Sequence, residues 1–431
     1  MTAARLGRVL TVLAVTVASQ LGTPVAQAVS PPGIDDRWLP RPALPAPPWP
    51  TVQRDACAAL PPDAGPYRNN PFADRLGLPR VWQLTRGGGQ RVAVIDTGVA
   101  RHHGLPDVVA GGDYVSTGDG AQDCDGHGTL VAGIVAATAP DATVVSIRQS
   151  SAKFAPASDR SHTGVGDVDT MASAVRTAAD LGASVINISS VACVAAGLDD
   201  RSLGAALAYA VDVKNAVVVA AAGNTAGSTS GNTGGAPPCP PQRADTTWET
   251  VTVAVSPAWY DEYVLAVGSV NADGAPSPFS LAGPWLDVAA PGEGVTPLGS
   301  PPVSGTSYAA PVVSGLAALI RARFPALTAR QVMRRIESTA HHPPAGRDAL
   351  VGNGTLDPLA AVSTGFSAAT PTPAPVPITA PTAPAAAPAS ARARGIALRG
   401  AGICLLGLVS ALVVGAAAAR SRRARDDVPG D

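Results

Sequence analysis

The sequence predicts an α/β domain built on a mainly parallel β-sheet with helices packed over both faces. Three observations lead there. Short, near-continuous Val/Ile/Ala runs recur from residue 81 onward, and apolar segments of helical period separate them. The chain is also long enough, at 431 residues with 46% hydrophobic composition, to bury one large core and still carry appendages.

Taken in order, the chain begins with Arg5 and Arg8 before the apolar run 9–17, and Ala26-Gln27-Ala28 offers small residues for cleavage. Residues 1–28 therefore read as a secretory signal, because Ser19 and Gln20 interrupt the apolar core that an uncleaved anchor would need. Residues 29–80 are rich in Pro and poor in apolar periodicity. Such an N-terminal extension cannot build a core of its own and is expected to drape over the domain that follows, 81–365. Within that domain the β-rich runs predict strands at 91–95, 143–147, 184–188, 217–221 and 264–267. Helices are expected at about 128–137, 169–181 and 201–214. A further helix starts near Ser307, where Ala309, Ala310, Gly315, Ala317 and Ala318 permit close packing at the centre, and Thr328 caps a last helix, 329–338. Two polar insertions, 149–168 and 225–247, are expected as surface loops at the edge where the strands end.

Residues 366–394 shift to Pro, Ala, Thr and Ser, the composition of an extended linker. The stretch 396–419 carries no charge after Arg399 and is long enough for a transmembrane helix, followed by Arg420, Arg422, Arg423 and Arg425 in a tail, 420–431. Arg392, Arg394 and Arg399 nearly balance those arginines, so the signal decides orientation. The expectation is a single-pass cell-membrane protein, its domain extracytoplasmic and its tail cytoplasmic. With a formal net charge of −1 and no long basic stripe, nucleic acid is not expected as a partner.

Three stretches carry chemistry. Val92-Ala93-Val94-Ile95-Asp96-Thr97-Gly98 delivers an acid at the end of a strand, Asp125-Gly126-His127-Gly128-Thr129 puts a histidine at the start of a helix, and Gly305-Thr306-Ser307 puts a hydroxyl at the start of another. Singly, these are a turn acid, a capping or core histidine and an N-cap serine. Together, an acid, a base and a hydroxyl at element termini suit an activated nucleophile, and unpaired N–H groups at a helix start can hold an oxyanion.

These motifs resemble those of the subtilisin-like serine proteases. Asp-Thr-Gly, His-Gly-Thr and Gly305-Thr306-Ser307-Tyr308-Ala309-Ala310-Pro311 match the three family signatures in the family's order, and Ala221-Ala222-Gly223-Asn224 matches a fourth. The resemblance covers about residues 81–361 and implies a subtilisin-like three-layer fold acting as a serine endopeptidase. It further implies catalytic roles for Asp96, His127 and Ser307, and an oxyanion-hole donor at Asn224. By motif position Ser189 lies on the substrate-binding strand, although Val191 stands where the family often has Gly. After His103 come Gly104 and Leu105 in place of the family's calcium-binding acid, so no obligatory metal or other cofactor is expected.

Cys57, Cys124, Cys193 and Cys239 fall in the exported part, where disulfides persist, while Cys404 lies in the expected span. Cys193 and Cys239 follow strands that should be neighbours, and Cys124, just before His127, is available to Cys57. The expected disulfides are therefore Cys57 with Cys124 and Cys193 with Cys239. No Cys-x-x-Cys spacing supports a metal site instead. Signal, Pro-rich extension, four exported cysteines and a tethered span resemble the mycosins, the subtilisin-like proteases of actinobacterial type VII secretion. That likeness implies a protein or peptide substrate, a membrane location and a place in the type VII secretion membrane complex. The alternative it leaves open is a mainly structural component that stabilises the complex, with proteolysis secondary.

Overall fold

The computed structural model describes residues 28–61, 71–105, 107–159, 161, 164–194, 197–226 and 238–363. The expected signal, linker, transmembrane helix and tail lie outside these residues, apart from Ala28. Among the described residues, no helix is long and apolar enough to cross a membrane.

Seven parallel strands form the central sheet: β2 (Arg91–Asp96), β3 (Val108–Asp113), β4 (Thr143–Arg148), β6 (Val185–Ile188), β8 (Val217–Ala221), β10 (Leu265–Val270) and β11 (Leu286–Pro291). Their order across the sheet is β11-β10-β8-β6-β2-β4-β3. Two short antiparallel pairs flank it: β1 (Thr51–Gln53) with β5 (Phe154–Pro156), and β7 (Ala192–Val194) with β9 (Ala254–Ser256). The central strands are buried on both faces, as their unbroken apolar runs require; β8 is buried from end to end.

The helices in chain order are α1 (Pro71–Arg75), α2 (Leu78–Val81), α3 (His127–Thr138), α4 (Val168–Asp180), α5 (Arg201–Ala208), α6 (Thr306–Arg323), α7 (Ala329–Thr339) and α8 (Pro358–Val362). Helix α6 is the axis of the packing, with every residue from Thr306 to Ile320 buried. Its small side chains let neighbours approach closely. A methyl group added to Gly315 would meet Cβ of Thr138, at the end of α3, at 2.5 Å. Asp167 caps α4 and Thr328 caps α7, each in a reciprocal capping box.

Several elements differ from the sequence expectation, each for a physical reason. β3 and β11 were not foreseen; both are edges of the sheet, the first diluted by Gly111 and Gly112 and the second ended by Pro291. The helix expected over 201–214 is α-helical only to Ala208 and widens into a π turn, Tyr209–Val213, that brings the Tyr209 hydroxyl to Asp180 at 2.7 Å. The core also begins before residue 81, since Ala73 and Leu78 are buried. The insertion 149–168 is not a surface loop throughout. Gln149, Ser150, Ser151 and Ala155 are buried, because β5 pairs with the extension instead of facing water. Of the insertion 225–247, residues 227–237 lie outside the described residues, and Cys239 is buried.

The extension drapes over the domain through local contacts. Val29 N–H donates to the Val251 carbonyl, Trp38 lies under the Arg201 guanidinium at 3.9 Å, and Arg176 donates to the Pro40 carbonyl. The Cys57–Cys124 disulfide pins its far end, and Cys193–Cys239 joins the segments beyond β6 and β8. Closing a loop with a sequence separation of 67 stabilises the fold by about 4 kcal/mol on the chain-entropy account.

Candidate active site

Asp96, His127 and Ser307 converge at the carboxyl end of the sheet, the edge where parallel sheets gather their ligands. Asp96 is the last residue of β2, His127 the first of α3 and Ser307 the second of α6. All three are buried, with Asp96 fully enclosed and His127 7% exposed. His127 Nδ1 lies 2.7 Å from Asp96 Oδ1, and His127 Nε2 lies 3.0 Å from Ser307 Oγ. A carboxylate only accepts, so Nδ1 carries the proton and Nε2 presents its lone pair to the Ser307 hydroxyl.

The motif residues between these groups have visible jobs. A methyl group on Gly128 would strike the Gly98 carbonyl at 2.0 Å, so the Asp-Thr-Gly turn can meet the histidine helix only at a glycine. Thr97 Oγ donates to Asp123 Oδ1 at 2.9 Å and accepts from Gly128 N–H at 3.0 Å. Asp123 Oδ2 accepts from both the N–H and the hydroxyl of Thr129, at 2.9 and 2.7 Å. Asp125 ties the same loop to the next strand end, accepting from Ser151 Oγ and Ala152 N–H.

The surroundings strengthen the hold of the His127 imidazole on a proton. Burial pushes the His127 pKa down, but the charge and hydrogen bond of Asp96, with Asp123 and Asp125 behind, outweigh it and hold the group above its ordinary value. The Tyr308 ring lies 5.2 Å from the imidazole, and burial keeps its phenol neutral. Asp123 is also pushed up by burial, against the hydrogen bonds it accepts.

Asn224 stands beside this group. Its Oδ1 accepts from Thr306 N–H at 2.8 Å and from Thr306 Oγ at 3.0 Å, and Thr306 Oγ in turn accepts from Gly223 N–H. Both acceptor directions of the amide oxygen are thereby used, which fixes the way the NH₂ end points. Ser189 is 5% exposed, and its hydroxyl turns inward to donate to the Ser307 carbonyl at 2.9 Å. The next residues, Ser190 and Val191, line a cavity of about 130 Å³ with Ser150, Gly166, Met171 and Leu203.

Thr306, Asp123 and Asn187 were not singled out from the sequence. Asn187 carried a readable signal, as the one amide in the apolar strand Val185–Ile188. Among the described residues no group of three or more His, Cys, Asp or Glu side chains is placed to hold a metal.

The chain matches the subtilase family model over residues 87–354. It is 62% identical to mycosin-4 of Mycobacterium tuberculosis over 465 aligned positions that span all of both chains. It is 42% identical to mycosin-3 of the same organism, over 79% of this chain and 82% of that one. Among solved structures, the MycP3 protease from the type VII (ESX-3) secretion system superposes with a TM-score of 0.69 at 41% identity, covering 78% of this chain and all of that one. A chain of the intact ESX-5 inner membrane complex gives a TM-score of 0.69 at 36% identity over 90% of this chain and all of that one.

Proposed function

Since the chain belongs to the mycosins of the subtilase family, subtilisin-like serine proteases of type VII secretion, we propose that Asp96, His127 and Ser307 are its catalytic residues and Asn224 its oxyanion donor. The observation that carries this reading is the unbroken hydrogen-bonded sequence from Asp96 through both nitrogens of His127 to Ser307 Oγ.

The steps follow from that geometry. Ser307 Oγ attacks the peptide carbonyl carbon while Nε2 takes its proton, and Asp96 holds the imidazolium that forms. The carbonyl oxygen, now negative, meets the Asn224 NH₂ and the Ser307 N–H at the start of α6. Collapse breaks the C–N bond, and His127 returns the proton to the departing amine. Water then attacks the acyl-enzyme by the same path and restores Ser307. The backbone at Ser189 to Val191, beside the cavity, is the proposed seat of the bound peptide strand.

We further propose a single-pass membrane protein with an extracytoplasmic peptidase domain and a retained N-terminal extension, working within a type VII secretion membrane complex. Support comes from the relatives found in the ESX-5 inner membrane complex and its periplasmic assembly. The same relatives favour a second role, in which the folded domain stabilises the complex and proteolysis is secondary. A fluorophosphonate probe should label the wild-type domain and not Ser307→Ala; labelling that survives the substitution refutes the nucleophile. Type VII secretion compared between Ser307→Ala and a deletion strain tests the second role. That role is refuted if secretion fails equally in both while the variant is present at normal level.

A further inference from the structure

We propose that Ser189 and Asn187 are positioning residues that replace a helical hydrogen bond deleted by Pro311 and so hold the first turn of α6, with Ser307, in place. The proposal rests on the reading of Ser307 as nucleophile.

In a regular helix the carbonyl of residue 307 accepts from the N–H of residue 311. Here residue 311 is a proline inside the helix, which has no N–H and whose ring crowds the carbonyl four residues back. Both effects fall on Ser307. Its carbonyl thus lacks its helical donor in a residue that is buried, a position that is costly without another one. Ser189 Oγ supplies that donor at 2.9 Å from outside the helix.

The direction of every bond in the chain behind it is determined. The Ser307 carbonyl can only accept, so Ser189 donates; the Ser189 oxygen then accepts from Asn187 Nδ2 at 2.9 Å. The Asn187 amide oxygen accepts from Ser314 Oγ at 2.8 Å. Ser314 lies on the same face of α6, two turns beyond Ser307, so the end of β6 grips the helix at two points through one amide. Asn187 and Ser314 are fully buried and Ser189 nearly so. The grip is therefore shielded from water and meets Ser307 at its main-chain carbonyl, not at the side chains of the proposed relay or of Asn224. Its effect reaches Ser307 only through the main chain, which sets both the hydroxyl's 3.0 Å approach to His127 and the direction of the Ser307 N–H.

The test compares fluorophosphonate labelling rates, and kcat and KM on a chromogenic peptide, for the full chain in detergent. Ser189→Ala should lower the labelling rate and kcat about tenfold with KM little changed, since a displaced nucleophile slows chemistry more than binding. Ser189→Thr, which keeps the hydroxyl, should stay within about twofold of wild type. The deciding variant is Ser189→Ala with Pro311→Ala, which returns an N–H at residue 311 and should recover most of the loss. A single variant as fast as wild type, or a double variant no faster than Ser189→Ala, overturns the proposal. Should Ser189→Ala not fold, Ser189→Cys takes its place, because a thiol donates weakly; equal rates for Cys and Thr then overturn it. Ser307→Ala, run alongside, separates the two failures: labelling that persists there refutes the nucleophile whatever Ser189 does.

Discussion

Replacing Asp96 by Asn tests how much of the strength of His127, the proposed base, is charge and how much is orientation. A single oxygen of Asp96, Oδ1, accepts from both Thr97 N–H and His127 Nδ1, each at 2.7 Å, while Oδ2 has no hydrogen-bond partner among the described residues. An asparagine with its carbonyl oxygen in the Oδ1 position would keep both bonds and the working imidazole tautomer, with the NH₂ turned toward the Oδ2 side. What is lost is the negative charge facing the imidazolium. With charge centres about 4 Å apart and an effective dielectric near 20, that attraction amounts to about 4 kcal/mol, or roughly a thousandfold in rate. Burial opposes protonation of His127 and the Asp96 charge is what most favours it, so its removal should also move the acid limb of the pH–rate profile to lower pH. Asp96→Ala, which loses the bond and the orientation as well, should be slower still. The assay is the fluorophosphonate labelling rate from pH 5 to 9 on folded protein. A variant within about tenfold of wild type, or an acid limb that does not move down, would refute the assignment of Asp96 as the orienting acid.

Asn224→Ala should reduce kcat by about a hundredfold to a thousandfold with little change in KM, and a rise in KM with kcat unchanged would point to ground-state binding instead. Asp287 offers a test of stability away from the site: burial, followed by the charges of Asp261 and Glu337, holds its carboxyl well above the usual range, against the Ala266 N–H and Arg347. The native state therefore grips this proton more tightly than the unfolded chain does. The stability it contributes is complete below the ordinary carboxylate value and disappears as pH rises through the raised folded value. Asp287→Asn should flatten the dependence of Tm on pH over that window, and a curve parallel to wild type would contradict the assignment. Protease added to intact spheroplasts should digest the domain; digestion confined to the Arg-rich tail would mean the opposite topology.

The convergence of Asp96, His127 and Ser307, the proposed relay, was legible in the sequence because each ends or begins an element: a carboxylate after an apolar strand, a histidine and a serine at the start of apolar helices. The alternating runs that predict the sheet were legible for the same reason, since the inner strands are buried on both faces and have no polar alternation to hide them. The edge strands escaped for different reasons: β3 is partly exposed and diluted by Gly111 and Gly112, while β11 is buried but its apolar run is broken by Asp287 and ended by Pro291. Ser189 shows a different limit. Its position in the chain placed it beside the site, but the task of its hydroxyl depends on a proline more than a hundred residues away and on the approach of α6 to β6. Asn187 could have been found from its isolation among Val185, Ile186 and Ile188, yet nothing local names its partners.

The bridge between Cys57 and Cys124 encloses the segment that joins the extension to the domain. A single cut anywhere between those two cysteines would divide the chain into two pieces still covalently joined. The amino-terminal piece would keep β1 on β5, and Trp38 under Arg201. Scission of the backbone there would thus not amount to removal of the extension. Two polypeptides should separate on a denaturing gel only after reduction, and a mature form beginning near Val29 would remain attached whether nicked or whole.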